Sequence, residues 1–153
     1  MPKNIDKILV PTDGSDGAKQ AAAFAGVLAR ALNAKITVLA VNDDKVLALT
    51  TLMPSPASES TNVIAQEIKN TTEANVEEEA LAETVRAIGA NTNVETAQCW
   101  GHTSEKICHY AEENDFDLIV IGSRGLSTFG RALLGSVSSQ IVHHAKCAVT
   151  VVR

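Results

Sequence analysis

The chain has 153 residues, 45% hydrophobic and 20% charged, a composition expected of one ordinary soluble domain able to bury a sizeable core. A formal charge of −5 and only 3% aromatic residues argue against a polyanion-binding or base-stacking surface, so no nucleic-acid partner is expected. No uninterrupted apolar run approaches the roughly 20 residues that a membrane helix needs, and residues 1–7 lack the apolar core of a secretory signal; the expectation is a cytoplasmic protein with no membrane contact.

In chain order, Lys7-Ile8-Leu9-Val10 reads as a first strand, ended by a turn at Pro11-Thr12-Asp13-Gly14-Ser15. A helix is expected from about Ser15, with Ala21, Phe24, Ala25, Leu28 and Leu32 on one buried stripe, broken at Asn33 and Ala34. Ile36-Thr37-Val38-Leu39-Ala40-Val41 reads as a second strand, apolar enough to be covered on both faces. Residues 42–56, with Pro54 and Pro56, lose periodicity and read as a long loop, with a helical turn over 46–52. Ser58, Ser60 and Thr61 offer N-caps for a helix reaching about Ile88, where Gly89 stops it; Leu81, Val85 and Ile88 form its apolar stripe, and Glu77-Glu78-Glu79 lies partly on its solvated side.

Asn93 to Cys99 alternates weakly and reads as a strand near a sheet edge. After a turn at Trp100-Gly101-His102-Thr103, residues 104–114 read as a helix with Ile107, Cys108 and Ala111 facing inward. Asp117-Leu118-Ile119-Val120-Ile121 is the fourth strand, a last helix follows Gly135 to about Ala145, and Ala148 to Val152 is the fifth strand. Strands alternating with helices predict a single α/β domain over 1–153, an open five-stranded parallel sheet with helices on both faces, Rossmann-like in type.

In such sheets ligands bind beyond the carboxyl ends of the strands, near the point where strand order reverses. Three stretches fall there: Pro11-Thr12-Asp13-Gly14-Ser15, Val41-Asn42-Asp43, and the run from Gly122 to Ser136. The last is rich in glycine and hydroxyl groups and lies between a strand and a helix N-terminus. That arrangement suits an anion, because backbone N–H groups can approach closely and the helix end is electropositive. Read alone it is equally a connecting loop with glycines at its bends. No G-x-x-x-x-G-K-[ST] stretch is present, nor a G-x-G-x-x-G after the first strand.

The spacing Gly122-x2-Gly125-x9-Gly135-Ser136, with Ile8-Leu9-Val10-Pro11-Thr12-Asp13-Gly14-Ser15 and the closing Val149-Thr150-Val151-Val152, resembles the ATP-binding branch of the universal stress protein family over essentially the whole chain. The resemblance implies an adenine nucleotide alpha hydrolase-like fold and ATP, with Mg or Mn, as ligand. It implies that Pro11 and Thr12 shape the turn beside Asp13, which faces ribose or metal-bound phosphates. Val41 would recognise adenine through its main chain. Gly122 and Gly125 would pass close to ribose and phosphates, and Gly135, Ser136 and Val137 would receive the phosphates. Arg124, Ser127 and Arg131 are further candidates that the spacing does not fix. The resemblance also implies a homodimer through residues 149–152, a cytoplasmic stress-regulatory role, no catalytic residue, and no metal ligand from the protein except Asp13 through phosphate-bound Mg.

Two departures from the family pattern stand out. Gly101-His102-Thr103 replaces the usual Gly-Asp-Pro, and Cys147-Ala148 replaces Cys-Pro before the last strand. Each candidate also has a plainer reading: Asp13 as the cap of the first helix and Ser136 as the cap of the last. His143 and Cys147 are spaced i, i+4, but His144 shares the stripe of Val137 and Ile141, which predicts a packed histidine rather than a metal ligand. Cys99, Cys108 and Cys147 lack a C-x-x-C pair and a neighbouring base, as in reduced structural thiols. Two other functions stay open: a nucleotide-independent dimeric interaction module, and an ATPase or self-phosphorylating protein.

Overall fold

The computed structural model describes residues 4–42, 75–123 and 134–153. The expected loop and turn within 43–56, the caps at 58–61, and Arg124, Gly125, Ser127 and Arg131 lie outside the described residues. Those described form β1 (Lys7–Thr12), α1 (Asp16–Leu32), β2 (Lys35–Asn42), α2 (75–88), β3 (Val94–Trp100), α3 (Thr103–Glu113), β4 (Leu118–Gly122), α4 (Ser136–His144) and β5 (Ala148–Val152). The strands make one parallel sheet in the order β3-β2-β1-β4-β5.

The two-residue period of the strands splits the core in two. Ile8, Val10, Ile36, Val38, Leu118 and Val120 face α1 and α2, whereas Leu9, Leu39, Ile119 and Ile121 face α3 and α4. The chain winds from β1 to β2 to β3 in one direction and then places β4 and β5 on the other side of β1. Strand order therefore reverses between β1 and β4.

Helix α1 keeps only part of its predicted stripe inward, with Leu28 half-buried against the core. Ala21 and Ala25 are buried, but Phe24 and Leu32 are 40% and 45% exposed, and the rest of the inward face is Ala18, Ala22, Gly26 and Ala29. Small residues let the helix approach its neighbours closely; a Cβ on Gly26 would stand 2.2 Å from the Ile88 carbonyl oxygen. Close approach decided the phase over side-chain size. The ends of α1 are well defined: Ser15 caps the start by accepting from Ala18 N (3.2 Å), and Asn33 takes the left-handed conformation at the end.

Helix α2 follows its predicted stripe, with Leu81 and Ile88 buried and Val85 half-buried, and ends before Gly89. Arg30 of α1 donates to the Ile88 carbonyl (3.0 Å), satisfying one of the acceptors a helix C-terminus leaves open.

Strand β1 runs two residues further than expected, through Pro11 to Thr12. Lys7 O accepts from Asp117 N, so the odd-numbered residues of β1 turn their main chain toward β4. Pro11 is the odd residue without an N–H, and the β1–β4 ladder covers only Ile8↔Leu118 and Leu9↔Ile119, while β1–β2 continues to Thr12↔Ala40. The missing donor falls on the side where the strands part, so proline costs the sheet nothing there. Histidine 144 also departs from expectation: it is exposed, its Nδ1 donating to the Gln140 carbonyl at 2.8 Å.

Candidate functional site

Where β1 and β4 part, a cavity of about 260 Å³ opens at the carboxyl edge of the sheet. Pro11, Thr12 and Asp13 line one side, Leu39 and Val41 the floor beside them, and Gly122, Ser123 and residues 135–138 the opposite side; Thr103 and Ile107 of α3 close the rim. Eight of the ten candidate residues, Pro11, Thr12, Asp13, Val41, Gly122, Gly135, Ser136 and Val137, thus border one cavity. Arg124 and Gly125 lie outside the described residues.

The β1–α1 turn is held by its own side chains. Asp13 Oδ1 accepts from Ser15 N (3.0 Å), and Gly14 N donates to Thr12 Oγ1 (3.1 Å). The helix cap is Ser15 rather than Asp13, which leaves Asp13 exposed at the cavity rim as a turn-former.

The β4–α4 side is built differently. Ser123 N donates to Val152 O and Ser123 O accepts from Gly135 N (2.7 Å), which ties the end of β4 to the start of α4. The N-cap of α4 is Gly135, not Ser136, and no side chain caps the helix; Ser138 Oγ donates to the Gly135 carbonyl instead. No acidic residue occupies the first turn of α4, whereas α1 carries Asp16 and α3 carries Glu105. Of the three helix N-termini bordering the cavity, α4 therefore keeps its positive potential and its first N–H groups least compensated. Such a helix end suits an anion.

Gly122 has a packing reason for its missing side chain. A Cβ there would lie 2.7 Å from the Gly17 carbonyl carbon and oxygen, so β4 can meet the first turn of α1 only through glycine.

Val41 offers a main-chain carbonyl. Asn42 O accepts from Gly101 N on the β3 side, so by alternation the Val41 N–H and C=O face β1; the last β1–β2 pair, Thr12↔Ala40, places the Val41 N–H on Thr12 O and leaves the C=O beyond it. The rung after that pair would take Gly14 N–H onto the Val41 carbonyl, but Gly14 N–H is engaged by Thr12 Oγ1. The carbonyl at the end of β2 is left facing the cavity.

Asp13 is the one ionisable residue among the described lining, and no group of three metal-ligating side chains occurs among the described residues. A metal here would arrive with a phosphate ligand, with Asp13 as its protein carboxylate, which suits magnesium's habit of keeping waters and few protein ligands. Burial pushes the Cys99 and Cys108 thiols up, which disfavours the thiolate a nucleophile needs. His102 sits at the N-cap of α3 and makes no capping bond. No described helix is long and apolar enough to cross a membrane.

Sequence reasoning missed Thr84 of α2, fully buried beneath this site: its Oγ1 lies 2.7 Å from Thr12 Oγ1. A lone threonine on an otherwise apolar helical stripe was the available signal.

Fold and site define a doubly wound parallel α/β domain with an anion-suited cleft at its switch point. The Universal stress protein family model matches residues 4–153. The chain is 31% identical over 148 residues to a universal stress protein of Methanocaldococcus jannaschii, covering 96% of this chain and 81% of that one. Among solved structures, it is 28% identical to the universal stress protein UspA from Lactobacillus plantarum, with a TM-score of 0.76 over 99% of this chain and 100% of that one. A universal stress protein solved in complex with cAMP is 27% identical, with a TM-score of 0.66 over 99% and 98% of the two chains. The chain belongs to the universal stress protein family.

Proposed function

We propose that the protein binds ATP, carried with Mg or Mn, in the cleft between β1 and β4, and acts as a nucleotide-responsive regulator in the cytoplasm. The observation that carries this reading is the start of α4, which opens into the cavity with neither a side-chain cap nor an acidic first turn. Phosphates take the N–H groups of residues 136–138 and the Ser136 hydroxyl, and Gly125 and Arg124 are further candidates for contact with them. Adenine takes the main-chain carbonyl of Val41, beside the apolar lining of Leu39, Ile107 and Ile121. Asp13 meets the ribose or the phosphate-bound metal. The cAMP complex of a relative supports an adenine nucleotide as the ligand class. Turnover is slow at most, since beyond Asp13 the described lining offers no general base or water-positioning residue.

The protein acts as a homodimer through β5. Ser123 N bonds Val152 O, so the even residues of β5 face β4 and the main chains of Val149 and Val151 face the sheet's outer edge. An apolar edge strand with outward N–H groups invites pairing, here with the same strand of a second copy. Val151→Pro removes one outward donor and leaves the β4 ladder intact. It is expected to convert the dimer to monomer in multi-angle light scattering; an unchanged dimer would place the interface elsewhere. For the ligand, calorimetric titration with ATP and Mg is the test, and absence of saturable binding refutes the reading.

A further inference from the structure

We infer that Thr84 of α2, outside the cavity, is a positioning residue for adenine recognition; this rests on the nucleotide reading above. Thr84 is fully buried, and its Oγ1 lies 2.7 Å from the Ala80 carbonyl and 2.7 Å from Thr12 Oγ1. A carbonyl only accepts, so the single Thr84 proton goes to Ala80 O and Thr12 must donate to Thr84. Thr12 Oγ1 then presents its lone pairs to Gly14 N–H (3.1 Å). The chain of donation runs Gly14 N–H to Thr12 to Thr84 to Ala80 O, and each hydroxyl in it has its direction fixed from the helix end.

That direction matters because Gly14 N–H is the donor that would otherwise extend the β1–β2 ladder onto the Val41 carbonyl. Held on Thr12, it leaves that carbonyl open toward the cavity, where an exocyclic amino group can donate to it. Two further contacts set the same geometry. Gly14, at φ +77°, lies against Ala80, and a Cβ there would stand 2.9 Å from Ala80 Cβ; Asn42 Nδ2 donates to Glu77 Oε2 (2.9 Å). Helix α2 thus holds both the Asp13 turn and the end of β2. Without the Thr84 acceptor, the Thr12 hydroxyl is free to rotate, Gly14 N–H can close onto Val41 O, and the base loses its partner.

The test compares Thr84→Val with Thr84→Ser by calorimetric titration with ATP and with ITP, whose base has a carbonyl in place of the amino group. Thr84→Val is expected to raise the Kd for ATP about tenfold, the scale of one hydrogen bond, and to shrink the ATP-over-ITP preference; Thr84→Ser keeps both wild-type values. Wild-type affinity and preference in Thr84→Val, or equal loss in Thr84→Ser, would overturn the assignment. Should Thr84→Val not fold, hydrogen exchange of the wild-type protein decides: ATP is expected to protect residues 12–15 and 80–84 together, and protection of the turn alone overturns it. A wild-type protein that binds neither nucleotide removes the nucleotide reading itself, a distinct result.

Discussion

The two turns that face each other across the cleft are built on opposite plans. The β1–α1 turn is saturated: Ser15 caps its helix, Asp13 Oδ1 takes Ser15 N, and Thr12 takes Gly14 N while leaning on Thr84. On the β4–α4 side Ser123 bonds Gly135, yet the helix begins there with no side-chain cap. The difference teaches a division of labour. One wall spends its polar groups on its own shape, and the other starts its helix without a side-chain cap.

Gly135→Leu attacks the open wall by filling the cavity it borders. ATP binding is expected to fall by more than about a thousandfold, ~4 kcal/mol, with the circular dichroism spectrum unchanged; retained binding would show that the phosphates do not use this wall. Gly122→Ala acts at the seam between strand and helix, where the new Cβ meets Gly17 at 2.7 Å. It is expected to cost about 2 kcal/mol of stability, the usual scale of overpacking, measured by urea denaturation. A loss of binding with undiminished stability would mean that Gly122 serves the ligand rather than the packing.

Ser15→Ala acts on the saturated wall and reverses the pattern of Gly135→Leu. Stability should drop by about 1 kcal/mol, as for a lost N-cap, with ATP affinity changed less than the fold is weakened. The smallest effect lies behind that wall, where Lys19 Nζ and Glu83 Oε2 pair at 2.6 Å between α1 and α2. Their hydrogen bond holds the Glu83 carboxyl below its usual range and lifts Lys19 above its own. The lowered carboxyl contributes stability above the ordinary glutamate range and loses it as pH falls through the folded Glu83 value. The raised lysine loses its share as pH rises through the folded Lys19 value. Glu83→Gln should therefore differ slightly from wild type at neutral pH and converge with it in acid; a difference that persists in acid would assign the effect to packing.

Much of this arrangement was legible in the amino-acid order. The apolar runs at 8–10, 36–41 and 118–121 alternate with helical stretches, an order that makes a parallel sheet and brings Asp13, Val41 and Gly122 to one cavity at its carboxyl edge. The glycine spacing named the family before any geometry. What was not legible depended on register and distance. Pro11 sits inside a strand because its absent N–H falls on the side where β1 leaves β4, which no local signal reveals. In alanine-rich α1, hydrophobicity alone favoured Phe24 and Leu32, whereas the tight fit of Gly26 on Ile88 selected the small residues. Helical phase made His144 a core residue on paper, but α4 turns it outward to bond Gln140. Thr84 acts on Thr12 from 72 residues away, a pairing set by topology alone.

The central claim is that the uncapped start of α4 and the open main-chain carbonyl of Val41 together hold ATP. Calorimetric titration of the wild-type protein with ATP and Mg, repeated on Gly135→Leu, tests it most directly. One saturable site per chain that disappears in Gly135→Leu is the expected result; no saturable binding up to millimolar ATP, or binding indifferent to Gly135→Leu, contradicts it.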